Sequence, residues 1–172
     1  MERFIAAVQN SLATQNWYSA LYLALTLPDI CARLESEDGK SNRTKFIAWY
    51  DTYMADKYRK RMAGGRIHPF LNGNDLYALR CAMLHEGASE IKDQSARKVL
   101  ERFRFTVGST HCNQINNTLQ LNVINFCQDV CESVLSWYKS FQEEHKDKLN
   151  RIEKLVIVTV GSHHNVEGVI CG

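Results

Sequence analysis

The chain has 172 residues, an ordinary share of apolar and charged side chains, and a formal net charge of +2. Such a length and composition suit one domain, spanning 1–172, with a substantial core, and they exclude a disordered chain. So small a net charge gives no global argument for nucleic acid, so any such case must rest on local clusters.

The first segment places Phe4, Ile5, Val8 and Leu12 at helical spacing, with no basic start before an apolar run, so no secretory signal is expected. No apolar run approaches the roughly 20 residues that a spanning helix needs. Six cysteines (Cys31, Cys81, Cys112, Cys127, Cys131 and Cys171) are scattered along the chain. They read as reduced, mostly core-filling thiols of a cytoplasmic protein.

A second helix begins near Asn16, with Tyr18, Leu21, Tyr22 and Leu25 on one face. Pro28 predicts a break at Thr26 or Leu27, before a short helix holding Ile30 and Leu34. After a polar loop over 35–42, the next helix carries Phe46, Ile47, Tyr50, Tyr53, Met54 and Tyr58 and is expected to end at Gly64 and Gly65. Its last turns hold the one dense basic cluster, Lys57, Arg59, Lys60 and Arg61, followed by Arg66 and His68. Cations at a helix end complement its free carbonyls. The same cluster would also serve as a phosphate-contacting rim beside the helix that follows.

That helix, within 72–87, is the centre of the chain. Asn74 or Asp75 is the expected N-cap, and Gly87 the expected left-handed end. At about 100° per residue, Leu76, Leu79 and Met83 form one apolar stripe and Tyr77 and Leu84 another, with Arg80 between them. Ala78, Cys81, Ala82 and His85 make a face of mostly small side chains, suited to close approach of another backbone.

Beyond Gly87, 90–100 fits helix or loop. Segments 98–107 and 118–123 alternate as half-buried strands and are expected to pair like a hairpin. A long helix over about 122–145 turns Ile124, Phe126, Cys127, Val130, Cys131, Val134, Leu135 and Tyr138 inward. The β-branched run 155–160 reads as a strand, and Val169 and Ile170 as a further short one. The fold class is mainly α with a small β element in the second half.

Metal ligation has weak support. Cys127 and Cys131 lie on an inward helix face, and His111, Cys112, His163 and His164 form no tight C-x-x-C pair. No cofactor or metal is expected. Neither a nucleophile elbow nor a phosphate-cradling glycine loop is present. Arg80 and His85 remain. A permanent cation holds phosphate oxygens, and an imidazole moves protons near neutrality, which together suit metal-free transesterification of RNA. Five residues set their Cα–Cβ directions about 140° apart, so convergence needs the reach of Arg80, a loosened helix end, or a second subunit. The alternative is structural: Arg80 paired with a carboxylate (Asp29, Asp51 or Asp56) and His85 capping the helix end.

This R-x4-H spacing, on the segment Leu-Tyr-Ala-Leu-Arg80-Cys-Ala-Met-Leu-His85-Glu-Gly87, resembles the R-x4-6-H motif of the HEPN superfamily (higher eukaryotes and prokaryotes nucleotide-binding), including uncharacterised bacterial proteins of this helical type. The resemblance implies a HEPN-like helical bundle that dimerises with its motif helices together. It also implies metal-independent endoribonuclease activity, as in toxin–antitoxin, phage-defence or RNA-processing systems, with RNA as substrate and an antitoxin or defence protein as partner. Arg80 would bind phosphate and stabilise charge, His85 would be the general acid or base, and Lys57, Arg59, Lys60, Arg61 and Arg66 are the candidate RNA contacts. Cys81, where active members often have a polar residue, and the β element after residue 97 depart from the minimal pattern. Some members bind without cleaving, so a non-catalytic dimeric or nucleotide- or RNA-binding module is the alternative.

Overall fold

A computed structural model describes residues 1–108 and 110–158. Helix α1 (Glu2–Ala13) buries Ile5 and Val8, and α2 (Trp17–Glu35) starts where the Asn16 side chain accepts from the Ser19 N–H at 3.3 Å. Pro28 lies inside α2 and does not break it, contrary to expectation. The physical reason is packing on several sides. Leu21, Ala24, Leu25, Leu27, Pro28, Cys31 and Leu34 are all buried, and their burial outweighs a proline's local cost of ~3 kcal/mol.

Helix α3 (Arg43–Tyr53) is capped by Asn42, whose side chain accepts from Lys45 N–H. It stops well short of the two glycines. A 3₁₀ turn, Ala55–Tyr58, leads into β1 (Arg59–Arg61), which pairs antiparallel with β2 (Ile67–Pro69). Residues 59–61 are all cations and provide no apolar stripe to hold a helix against the core. Gly64 and Gly65, both at left-handed φ (82° and 81°), sit in the loop of the hairpin instead.

Helix α4 (Gly73–Glu86) is capped by Asn72, not by Asn74 or Asp75. Asn72 Oδ1 accepts from the N–H groups of both those residues at 3.0 Å. Gly87, at φ 66°, ends the helix as expected. Gly73 lets α4 press on α3, since a Cβ there would lie 3.2 Å from the Ile47 Cα.

Residues 90–100 form turns, not helix. A three-stranded sheet follows: β3 (Arg102–Thr106), β4 (Asn113–Ile115) and β5 (Thr118–Asn122), in the order β3-β5-β4. The expected hairpin pairing is corrected. β3 and β5 run parallel, and β4 is the antiparallel neighbour of β5, turned tightly through Asn116 at φ 53°. Residues 98–101 lie outside the strand because the buried Asp75 carboxylate takes the N–H groups of Lys98, Val99 and Leu100.

Helix α5 (Val123–Glu144) buries Phe126, Cys127, Val130, Cys131, Val134, Trp137 and Phe141, while Leu135 is exposed rather than inward. A 3₁₀ turn (Lys146–Lys148) and α6 (Asn150–Glu153) complete the described elements. The strand expected over 155–160 is absent as far as Val158. Leu155 is buried, Val156, Ile157 and Val158 are exposed, and no described strand pairs with them. Thr159 and Val160, His163 and His164, Val169 and Ile170, and Cys171 lie outside the described residues. Helix α2 packs against α1, α3, α4 and α5, so the architecture is mainly helical with two small sheets. Among the described residues, no helix is long and apolar enough to cross a membrane.

Candidate active site

Helix α4 is anchored at its start. Asp75, fully buried, accepts from Asn72 Nδ2 at 2.6 Å and from Leu100 N–H at 3.2 Å besides its bonds to 98 and 99. Leu76, Ala78, Leu79, Ala82 and Met83 are buried, which holds the helix rotation. Tyr77, Arg80, Cys81 and Leu84 are half-buried, and His85 is exposed. The expected small-residue face is thereby divided. Ala78 and Ala82 are covered within the chain and offer no seam to a second copy, whereas Cys81 and His85 stay accessible.

Arg80 turns toward α2. Its Nε lies 2.5 Å from Asp29 Oδ2, with the N–H axis off the oxygen, so the contact is a close ion pair and not a directed hydrogen bond. Ser41 Oγ donates to the other oxygen, Asp29 Oδ1, at 2.8 Å. Burial opposes the charge of Arg80, but the Asp29 carboxylate outweighs it and holds the guanidinium more firmly protonated. Of the three carboxylates considered from sequence, α2 supplies Asp29 because Pro28 leaves the helix continuous.

Arg80 Nη1 also lies 3.3 Å from His85 Nε2. A guanidinium only donates, so Nε2 is the accepting, unprotonated nitrogen. The 140° divergence is closed by the length of the arginine side chain within one chain, on a helix that stays regular to Glu86. Neither a loosened end nor a partner is needed for the two groups to meet. The arrangement has a guanidinium clamped on one side by a carboxylate and, on the other, bonded to an imidazole nitrogen at an open surface.

The basic residues are elsewhere. The hairpin joins α4 at its N-terminal end, so Arg80 and His85 stand roughly 10 and 18 Å further along the helix axis. Lys57 is tied to α5, 2.5 Å from Glu132 Oε2 and 3.4 Å from Asp129 Oδ1, and Arg59 Nη1 pairs with Asp56 Oδ1 at 2.9 Å. Lys60, Arg61 and Arg66 are exposed and form no ion pair among the described residues.

A second polar cluster was not legible in the sequence. Asp129 accepts from Tyr58 Oη at 3.1 Å, lies 3.6 Å from His111 Nε2 and pairs with Lys57. Asp129, with Cys112 beside the ring, raises His111 to about 9, whereas the Asn122 N–H, 3.2 Å from Nδ1, favours the neutral ring with its proton on Nε2 and works against that rise. Burial works against the Asp129 charge, yet His111, Lys57 and Tyr58 hold its carboxyl below the usual range. Three separate stretches, 57–58, 111–112 and 122–129, build this cluster, and no spacing rule joins them.

Among the described residues, no three His, Cys, Asp or Glu side chains converge as a metal set. Cys31, Cys127 and Cys131 are free thiols in the core, and Cys81 and Cys112 are free and half-buried. Comparison with protein-family models, with curated proteins and with solved structures finds no match.

Proposed function

We propose that this chain is a HEPN-like, metal-independent endoribonuclease in which Arg80 and His85 do the chemistry. The observation that carries the reading is the 3.3 Å approach of Arg80 Nη1 to His85 Nε2 on an open face. A scissile phosphate beside the guanidinium would take hydrogen bonds from its Nη N–H groups, including the one that rests on His85 in the free protein. As Arg80 Nη1–H turns from His85 to the phosphate, the Nε2 lone pair is released and removes the proton of the adjacent 2′-hydroxyl, the 2′-oxygen bonds to phosphorus, and the bond to the 5′-oxygen breaks. A water, or the same residue of a second copy, returns a proton to the leaving oxygen. The products are a 2′,3′-cyclic phosphate and a 5′-hydroxyl end. Arg80 stabilises the charge that builds on phosphorus oxygens, and Asp29 orients the guanidinium. In this reading two copies would meet along the half-buried strip of Tyr77, Cys81 and Leu84, since Ala78 and Ala82 are covered.

The test is cleavage of mixed RNA in EDTA. His85→Ala, a change at an exposed position, is expected to lower the rate by ~10²–10⁴-fold with an unchanged melting temperature. Equal cleavage by the variant and wild type removes His85 from the mechanism.

One observation favours a second reading. The 2.5 Å Arg80–Asp29 contact is what a structural ion pair would show. On that account the protein is a non-catalytic interaction or RNA-binding module, and purified protein dimerises or binds RNA without cutting it.

A further inference from the structure

The β1–β2 hairpin carries a cluster of cations, of which Arg59 alone has an ion partner among the described residues, and its register sorts them between two faces. Lys60 stands opposite His68, while Arg61 stands opposite Ile67, so Lys60, His68 and Phe70 share one face and Arg59 and Arg61 the other. The first face looks onto the edge strand β4. Between them runs a groove of about 320 Å³ lined by Met62, Arg66, His68, Phe70, Gln114 and Asn116. No carboxylate lines it.

The groove has a built floor. His68 and Phe70 stack edge to face, their ring centroids 4.6 Å apart. Gln114 Nε2 donates to Asn116 O at 3.0 Å, which orients the amide so that Gln114 Oε1, 3.1 Å away, accepts from His68 Nε2. These bonds join the hairpin to the three-stranded sheet, so rings and amide are fixed before any ligand arrives. Asn116, exposed at its left-handed φ of 53°, and Met62 stand at the opening.

We propose that this groove is a seat for single-stranded RNA, with an unstacked base against Met62 and the His68–Phe70 pair, the Asn116 amide at its edge, and flanking phosphates on Lys60 and Arg66. This rests on the reading that the chain acts on RNA. Aromatic and thioether surfaces take the face of any base, and cations with no carboxylate nearby take the backbone. A duplex keeps its base faces stacked and would engage only the cations. The seat lies at the far end of α4 from His85, so binding and cleavage are separable.

The experiment is fluorescence anisotropy of a labelled 12-nucleotide oligouridine, in EDTA, with the His85→Ala chain so that the probe stays intact. Lys60→Glu/Arg66→Glu is expected to weaken binding at least tenfold at low salt. Loss of two phosphate contacts should flatten the slope of log affinity against log salt by roughly 1.4. The charge-matched control on the opposite face, Arg59→Glu/Arg61→Glu, should cost less than threefold. Duplex RNA and inorganic polyphosphate should bind at least tenfold more weakly than the oligouridine. Equal losses from both hairpin faces, equal binding of polyphosphate, or no binding by the intact groove each overturn the seat. Cleavage by wild type with no effect of the Lys60 and Arg66 changes on binding would overturn the seat and leave the nuclease standing. Binding at the groove with no cleavage would do the reverse.

Discussion

Replacing Arg80 by alanine separates the work of the ion pair from the work of the site. Removing one partner of a fully buried pair costs ~3–5 kcal/mol, because the other charge is stranded. Here the side chains retain 23% and 16% of their exposure, and Ser41 Oγ continues to donate to Asp29. Solvent screening and that remaining bond reduce the expected cost to about 1–2 kcal/mol. In a chain of this size, that lowers the melting temperature by roughly 2–8 °C. The assay is thermal melting by circular dichroism of Arg80→Ala, Asp29→Ala and the double variant. The double variant should be less destabilised than the sum of the singles, with a coupling of about 1 kcal/mol. Singles that melt with wild type and show no coupling would refute the assignment of Asp29 as the anchor. Cleavage, measured on the same proteins, should fall steeply with Arg80→Ala but only partly with Asp29→Ala, which leaves the guanidinium present and less well aimed.

Other outcomes follow from single contacts. Asp75→Ala leaves the N–H groups of Lys98, Val99 and Leu100 without an acceptor, a loss of about 3–5 kcal/mol in urea unfolding, with faster amide exchange at those residues. A change below about 1 kcal/mol would mean that water satisfies them. Gly73→Ala should destabilise by about 1 kcal/mol because its Cβ would meet the Ile47 backbone at 3.2 Å; a stabilised protein would show that α3 and α4 separate at no cost. His111 should titrate above its ordinary 6.5, near 9, by NMR. Since the folded-state value is raised, its contribution to stability is complete below about pH 6.5 and lost as pH rises through about 9. Asp129→Asn should bring that titration back toward 6.5, and an unmoved titration would exclude Asp129 as the cause.

The local signals that the sequence carries are those in which a residue acts on its own backbone. Asn16 and Gly87 mark helix ends because an amide oxygen or a left-handed glycine satisfies or stops a helix wherever the helix is placed. The amphipathic spacing of α5 likewise located an inward face, with Leu135 misplaced by less than a turn. Cys127 and Cys131 were legible as core thiols for the same reason.

What failed depended on neighbours distant in sequence. Pro28 reads as a break until four helices surround it, and the basic run 57–61 reads as a helix end until Phe70 N–H bonds back to Tyr58 O beneath the hairpin. Strands β3 and β5 alternate as antiparallel partners would, but β4, too short to announce itself, takes the antiparallel place. The described part of the valine-rich run, 155–158, has strand propensity, yet propensity alone forms no ladder there. Residues 98–100 lose their strand to Asp75, a carboxylate 23–25 positions away.

Helix α4 shows the division most clearly. Its end at Gly87, its apolar stripes and the odd position of Arg80 belong to the sequence by itself, since they follow from helical period and capping, whereas its start at Asn72 was read two or three residues too late. Which of three carboxylates meets Arg80, and whether Arg80 meets His85, were decided by tertiary structure. The continuous α2 delivers Asp29 to one edge of the guanidinium, and the long side chain swings the other edge to the imidazole. Spacing sets directions on a helix, but only packing decides what stands at the end of them.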